Sequence, residues 1–198
     1  MSKGEQTREM ILLRAAEVFN RKGYFGASMA DIMEATGLEK GGIYNHFESK
    51  DDLALQAFDY AVDLVRENFA TAIRGKTNAI DRLQAVFGVF RAMTAGAPVP
   101  GGCPILNTAA EADDAHPALR ARARDAMWEL HGFIRRIIQR GIERGEIRAD
   151  INPEQVASVF YSTLEGAIMI TRLSEDATHI EHVIDHLTWF AESALRTR

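Results

Sequence analysis

The stretch Gly37-Leu38-Glu39-Lys40-Gly41-Gly42-Ile43-Tyr44-Asn45-His46-Phe47-Glu48-Ser49-Lys50 decides how the chain is read. Thr36-Gly37-Leu38 breaks one helical pattern, and a short helical piece over about Glu39 to His46 follows at once. Ser49 then caps a further helix that begins Lys50-Asp51-Asp52-Leu53. Upstream, Ser28 stands three residues before Asp31, the spacing of an N-cap, and starts a short helix with Ile32 and Ala35 inward. Before that, Ile11, Ala15, Val18 and Phe19 recur at helical spacing over about Glu5 to Lys22, and Gly23 is the expected left-handed stop.

Two short helices joined by a tight glycine-containing turn and packed on a preceding helix make a helix-turn-helix. In such a pair the second helix enters the DNA major groove, which is wide enough for one α-helix. That helix is Glu39–His46, and its composition is odd for a purely structural element. Gly41 and Gly42 together cost about 1.6–2 kcal/mol relative to alanine in a helix interior. Glycine is tolerated more readily where the backbone must approach another surface closely. Lys40 and Asn45 suit base edges or phosphates, and Tyr44 and His46 can donate to phosphate oxygens. Ser28 and Lys50 sit at helix starts, where backbone N–H groups favour an anion. The plain alternative is that these are ordinary polar surface residues on a small helical bundle.

Beyond residue 50 the helical pattern continues. Leu53, Ala57, Phe58, Ala61, Leu64, Val65, Asn68 and Phe69 keep a 3.6 period up to Arg74, with no Pro/Gly/Ser-rich linker at the join. Further helices are expected over about 78–94, 105–112, 116–144, 153–173 and 178–195. A Gly- and Pro-rich loop spans Ala95–Pro104, and an acidic turn falls at Asp113-Asp114. The fold expected is all-α with about nine helices. A three-helix N-terminal domain, residues 1–50, is joined by a continuous helix to a helical domain, residues 51–198.

Composition agrees. Apolar residues make up 46% of the 198 and charged residues 26%, the balance of a soluble globular chain. The single cysteine, Cys103, rules out an intrachain disulfide and suits a reducing cytoplasm. The polar N-terminal residues carry no signal-peptide pattern, and the strongest apolar run, Ala167–Ile170, is far short of the roughly 20 residues of a membrane span. A cytoplasmic location and no membrane partner are expected. Net charge is −5. Of the 23 cations and 28 anions, seven of each fall within residues 1–50, so the whole acidic excess lies later. Bulk charge does not drive nucleic-acid binding here, and local contacts must.

Residues 7–53 resemble the N-terminal domain of TetR/AcrR-type regulators. The resemblance rests on Thr7, Ala15, Phe19, Gly23-Tyr24, Ser28, Ile32, Ala35 and Leu53 together with the stretch quoted first. It covers about a quarter of the chain by motif, and the later helices are similar in length and order. It implies a homodimeric, ligand-responsive repressor that binds a near-palindromic DNA operator and is released by a small molecule in its C-terminal domain. The DNA-binding residues it implies are Ser28, Lys40, Gly41, Gly42, Tyr44, Asn45, His46 and Lys50. Two departures matter. Glu39 replaces the usual Ser or Thr at the start of the reading helix, and Gly42 replaces Ser, Thr or Ala. The first removes the hydroxyl cap and places a carboxylate that would repel nearby phosphates, and the second shifts sequence readout onto Lys40 and Asn45.

The resemblance also implies a four-helix dimer interface from the last two helices. Val156, Val159, Phe160, Thr163, Ala167 and Ile170 would supply one side, and Ile180, Val183, Ile184, Leu187, Phe190, Ala191 and Ala194 the other, with part of both sets being intrachain core. The ligand cavity is expected among Phe87, Phe90, Cys103, Asn107, Trp128, His131, Tyr161 and Leu164, for a largely apolar effector, with ordinary core packing as the alternative for many of them. Cys103, in Pro100-Gly101-Gly102-Cys103-Pro104, is similar to the cysteine of a family branch that senses electrophiles or oxidants; a small buried hydrophobe is the other reading. An activator is a further alternative. His179, His182 and His186 share one helix side at a spacing open to a metal ion, though a solvated or interfacial polar face is the preferred reading. No cofactor, resident metal or enzymatic activity is expected, since no nucleophile–base pattern or phosphate loop is present.

Overall fold

The computed structural model describes residues 2–112 and 115–197. Among them nine α-helices form: α1 (Lys3–Gly26), α2 (Met29–Thr36), α3 (Lys40–Tyr44), α4 (Lys50–Ala72), α5 (Ala79–Thr94), α6 (Pro104–Ala112), α7 (Pro117–Glu143), α8 (Pro153–Ser174) and α9 (Thr178–Phe190). A π-turn over Ala191–Leu195 ends the last. No strand forms among the described residues, and one isolated bridge pairs Ile147 with Arg196. The expected acidic turn at Asp113-Asp114 lies outside the described residues.

Local chemistry accounts for the helix starts. Proline opens α6, α7 and α8, where its missing N–H removes no helical bond. The Asn152 side chain accepts from the N–H groups of Glu154 and Gln155 at the start of α8, and Asn78 accepts from Ile80 at the start of α5. Two boundaries differ from expectation. α1 does not end at Lys22: Gly23 breaks its geometry with φ 75° and ψ 166°, yet another turn follows to Gly26. The reading helix is shorter than Glu39–His46, only five residues.

The chain packs as two compact units, Met1–Val65 with Pro98–Ala126, and Arg66–Ala97 with Met127–Arg198. The first unit thus takes in residues 51–65 and 98–126 beyond the expected boundary at residue 50. In the first unit Ile11, Leu12 and Ala15 of α1 close a core with Ile32 of α2, Ile43 of α3, Phe47, and Leu53 and Ala57 of α4. In the second, α5 buries Ile80, Leu83, Val86, Phe87, Phe90 and Met93, and α8 buries Phe160, Leu164, Ala167 and Ile168. From α9, Ile180, Ile184 and Leu187 join them. Arg91 to Glu181 at 2.7 Å ties α5 to α9 at the surface.

Candidate functional site

The α2–turn–α3 segment is built from one well-capped helix and one that is barely a helix. Ser28 Oγ accepts from the Asp31 N–H at 3.2 Å, and the Ser28 N–H donates to Asp31 Oδ2 at 2.7 Å, a complete capping box. Lys22 Nζ reaches Asp31 Oδ1 at 2.6 Å. That ammonium first, and the Ser28 backbone and hydroxyl next, hold the Asp31 carboxyl well below the usual carboxylate range. The turn follows, with the Gly37 N–H donating to Met33 O at 2.9 Å. Glu39 stands at the N-cap of α3, and its carboxylate makes no cap hydrogen bond.

α3 is held from beneath by buried Ile43 and, one turn on, by buried Phe47. Arg8 lies over the Phe47 ring at 5.3 Å. The opposite side leaves Lys40, Gly41 and Asn45 exposed, with Tyr44 and His46 half-buried beside them. Lys40 Nζ sits 5.6 Å from the Tyr44 ring. A Cβ at Gly41 would meet nothing within 4 Å, so nothing in the chain itself requires glycine there. At Gly42 a Cβ would make ordinary contact with Leu38 at 3.6 Å. The structure therefore gathers Lys40, Gly41, Tyr44, Asn45 and His46 on and just after one short helix.

Ser28 and Lys50 are placed differently. Ser28 is exposed, and its hydroxyl donates to Asp31 Oδ2 at 2.8 Å. Lys50 Nζ donates to the Tyr24 carbonyl at 2.7 Å and lies 4.4 Å from the Tyr24 ring centroid. The Tyr24 hydroxyl donates to Asp51. Burial first, and the Asp51 carboxylate second, push the phenol up to about 12. An ammonium has three donors, so Lys50 keeps capacity for an anion. Its pose, though, is fixed by Tyr24, a residue that sequence spacing did not single out for that role.

The residues expected to surround an effector fall in both units. In the second, Phe87, Phe90 and Leu164 are fully buried. Phe87 meets Phe160 edge-on at 5.2 Å, and Phe90 meets Tyr161 at 6.3 Å. His131 is buried and its Nε2 lies 3.0 Å from Ser158 Oγ. Trp128, edge-on to His131 at 5.5 Å, is 56% exposed. A cavity of about 260 Å³ in this unit is lined by Ile151, Val156, Val159, Phe160 and Phe190 with Asp150, Asn152 and Gln155. In the first unit, Asn107 borders a smaller cavity of about 40 Å³. Its amide is already bonded to Asn20 and Gly101.

Cys103 is fully buried. Reactive thiols sit in partly exposed, electropositive surroundings, so burial counts against the sensor reading and for the small hydrophobe. Among the described residues no group of three or more metal-ligating side chains comes together, and His179, His182 and His186 are solvent-exposed. On α8, Phe160 and Ala167 of the expected dimer set belong to the intrachain core, as do Ile180, Ile184, Leu187 and Ala191 from the last helix. Val159 and Ile170 stay exposed. They are joined by Met169, Leu173 and Trp189, absent from that set, at 54%, 85% and 60% exposure. No helix of the described chain is long and apolar enough to cross a membrane.

Comparison with known proteins places both halves. Residues 11–57 match the family described as bacterial regulatory proteins of the tetR family, and residues 79–187 match its tetracyclin repressor-like C-terminal domain. A TetR transcriptional regulator from Chloroflexus aurantiacus is 47% identical, each chain covering all of the other, with a TM-score of 0.95. A TetR-family regulator from Cytophaga hutchinsonii is 34% identical over all of this chain and 98% of its own, with a TM-score of 0.90. The transcriptional repressor DhaR of Mycobacterium sp. is 26% identical over 178 residues, 89% of this chain and 88% of that protein.

Proposed function

The chain belongs to the TetR family of bacterial transcriptional regulators, and from that premise we propose that it is a ligand-responsive repressor that binds a near-palindromic operator as a homodimer. One observation carries the DNA-binding part: α3 is anchored by Ile43 and Phe47 while Lys40, Gly41 and Asn45 face outward beside Tyr44 and His46. Two such helices related by a dyad would reach successive major grooves about 34–36 Å apart. Lys40 and Asn45 read base edges, Tyr44 and His46 hold phosphates, and the bare backbone at Gly41 and Gly42 allows close approach. Ser28 orders the start of α2 at the flank, and Lys50 keeps residual donors for phosphate.

Residues 1–50 engage DNA, and 51–198 carry dimerisation and the effector. The exposed apolar side chains Val159, Met169, Ile170 and Leu173 on α8 and Trp189 on α9 support a second copy as the cover of that face. The aromatic set of Phe87, Phe90, Trp128, His131, Tyr161 and Leu164 supports a largely apolar effector with few polar anchors. Similarity to a mycobacterial repressor supports repression over activation. The protein needs no cofactor and acts in the cytoplasm by binding, not by catalysis. To release DNA, the effector must prefer the conformer that does not fit the operator.

The test is gel retardation of the duplex upstream of the chain's own coding region, at low salt, with a scrambled duplex as control. Specific retardation relieved by a small apolar compound is the expected outcome. Equal retardation of both duplexes contradicts the reading.

A further inference from the structure

The break in α1 leaves polar groups that α6 takes up. After Gly23, the Tyr24 N–H donates to Glu111 Oε2 at 2.7 Å and the Phe25 N–H to Glu111 Oε1 at 2.8 Å. Each carboxylate oxygen serves one amide. Successive backbone N–H groups converging in this way form a concavity for an anion, and the anion here is a side chain of the same molecule. The fit excludes a side chain at position 23: a Cβ on Gly23 would lie 2.4 Å from Glu111 Oε2.

One turn earlier a second attachment forms. The Asn20 side-chain amide donates to the Pro100 and Gly102 carbonyls at 3.1 and 3.0 Å. The Asn107 amide donates to Asn20 O, Asn20 Oδ1 and Gly101 O at 3.1, 2.9 and 2.9 Å. Here too the approach is close, since a Cβ on Gly101 would sit 2.6 Å from Asn20 O. The Tyr24 carbonyl is held in turn by Lys50 at 2.7 Å. The exit of α1 is thus gripped by α6 on its N–H side and by α4 on its C=O side, two residues before Ala27 and the Ser28 cap of α2.

We infer that Glu111 is a positioning residue: seated in the amide concavity after Gly23, its carboxylate sets the angle at which α1 passes into α2, and with it the pose of α3. This rests on the DNA-binding reading above. The junction is only half-buried, so water can solvate the two amides and the carboxylate once they part, which keeps the released arrangement accessible.

The experiment uses the full chain and the upstream duplex. Amide hydrogen exchange is followed residue by residue, and duplex affinity by fluorescence anisotropy, for wild type and Glu111→Gln. The neutral amide keeps the size of the side chain but only one acceptor. Exchange at Tyr24 and Phe25 should accelerate about tenfold, and affinity should fall about tenfold at an unchanged melting temperature. Core amides of α5 and α8 should stay as protected as before, which separates repositioning from general loss of structure. Wild-type exchange in the variant, or faster exchange with unchanged affinity, overturns the role of Glu111. If wild type fails to distinguish the duplex from a scrambled one, the DNA-binding reading fails instead, and the exchange measurement still reports whether the clamp exists.

Discussion

α2 and α3 lie a turn apart and are stabilised in opposite ways. α2 has eight residues, a complete Ser28–Asp31 capping box and an ion pair to Lys22. α3 has five residues, two of them glycine, and an N-cap whose side chain makes no bond. A five-residue helix is far below the length at which local propensity sustains one. α2, also short and anchored by Ile32, adds a local cap to its core contact, whereas α3 relies on the core beneath it alone. The difference matches their proposed roles: a helix that braces can be closed with side chains, whereas one that reads must leave its surface and backbone open.

The contrast can be broken most severely at Ile43. Ile43→Ala should destabilise the N-terminal unit by about 2–5 kcal/mol, read as a lower urea midpoint, and abolish duplex binding. A small stability loss would mean that α3 does not depend on its anchor. Next comes the cap comparison. Ser28→Ala should cost about 1 kcal/mol, whereas Glu39→Ala should stay within about 0.5 kcal/mol. Equal losses in paired thermal melts would erase the distinction between the two helices.

Gly42→Ala sharpens the same point from the other side. Its new Cβ meets Leu38 at an ordinary 3.6 Å, so helix propensity alone should raise stability by up to about 1 kcal/mol. Duplex affinity should fall, because the methyl stands on the reading helix. Improved stability with undiminished affinity would remove the reason for glycine there.

The smallest effect is a pH dependence. Lys22 and the Ser28 cap hold the folded Asp31 carboxyl below its unfolded value near 3.9. A depressed carboxylate contributes stability that is fully present above the unfolded pKa and is lost as pH falls toward the folded one. The melting-temperature gap between wild type and Asp31→Asn should be constant above about pH 5 and shrink on acidification below it. A gap that widens in acid would contradict the cause assigned to Asp31.

Patterns within one helix were readable in advance. The Ser28–Asp31 spacing gave the cap, and the 3.6 period through Leu53, Ala57 and Ala61 gave α4 with its buried face. Gly23 is legible as a break, but the extra turn to Gly26 is not. That turn depends on Glu111, far along the chain, and no periodicity links residues so distant. Lys50 shows the same limit: its helix-start position was legible, while its partner Tyr24 was not. On α8, apolar spacing marks both faces alike, and only packing separates buried Phe160 and Ala167 from exposed Val159 and Ile170. A helix with apolar residues on several sides does not say which side its own chain covers.

The account turns on the outward side of α3, and one measurement addresses it most directly. Anisotropy titrations of the upstream duplex and a scrambled duplex should be compared for wild type, Lys40→Ala and Asn45→Ala. Both side chains are exposed, so melting temperatures should not change. Each variant should lose about 1–3 kcal/mol of discrimination between the two duplexes. If both variants discriminate as well as wild type, α3 is not the reading helix and the assignment of the site is wrong.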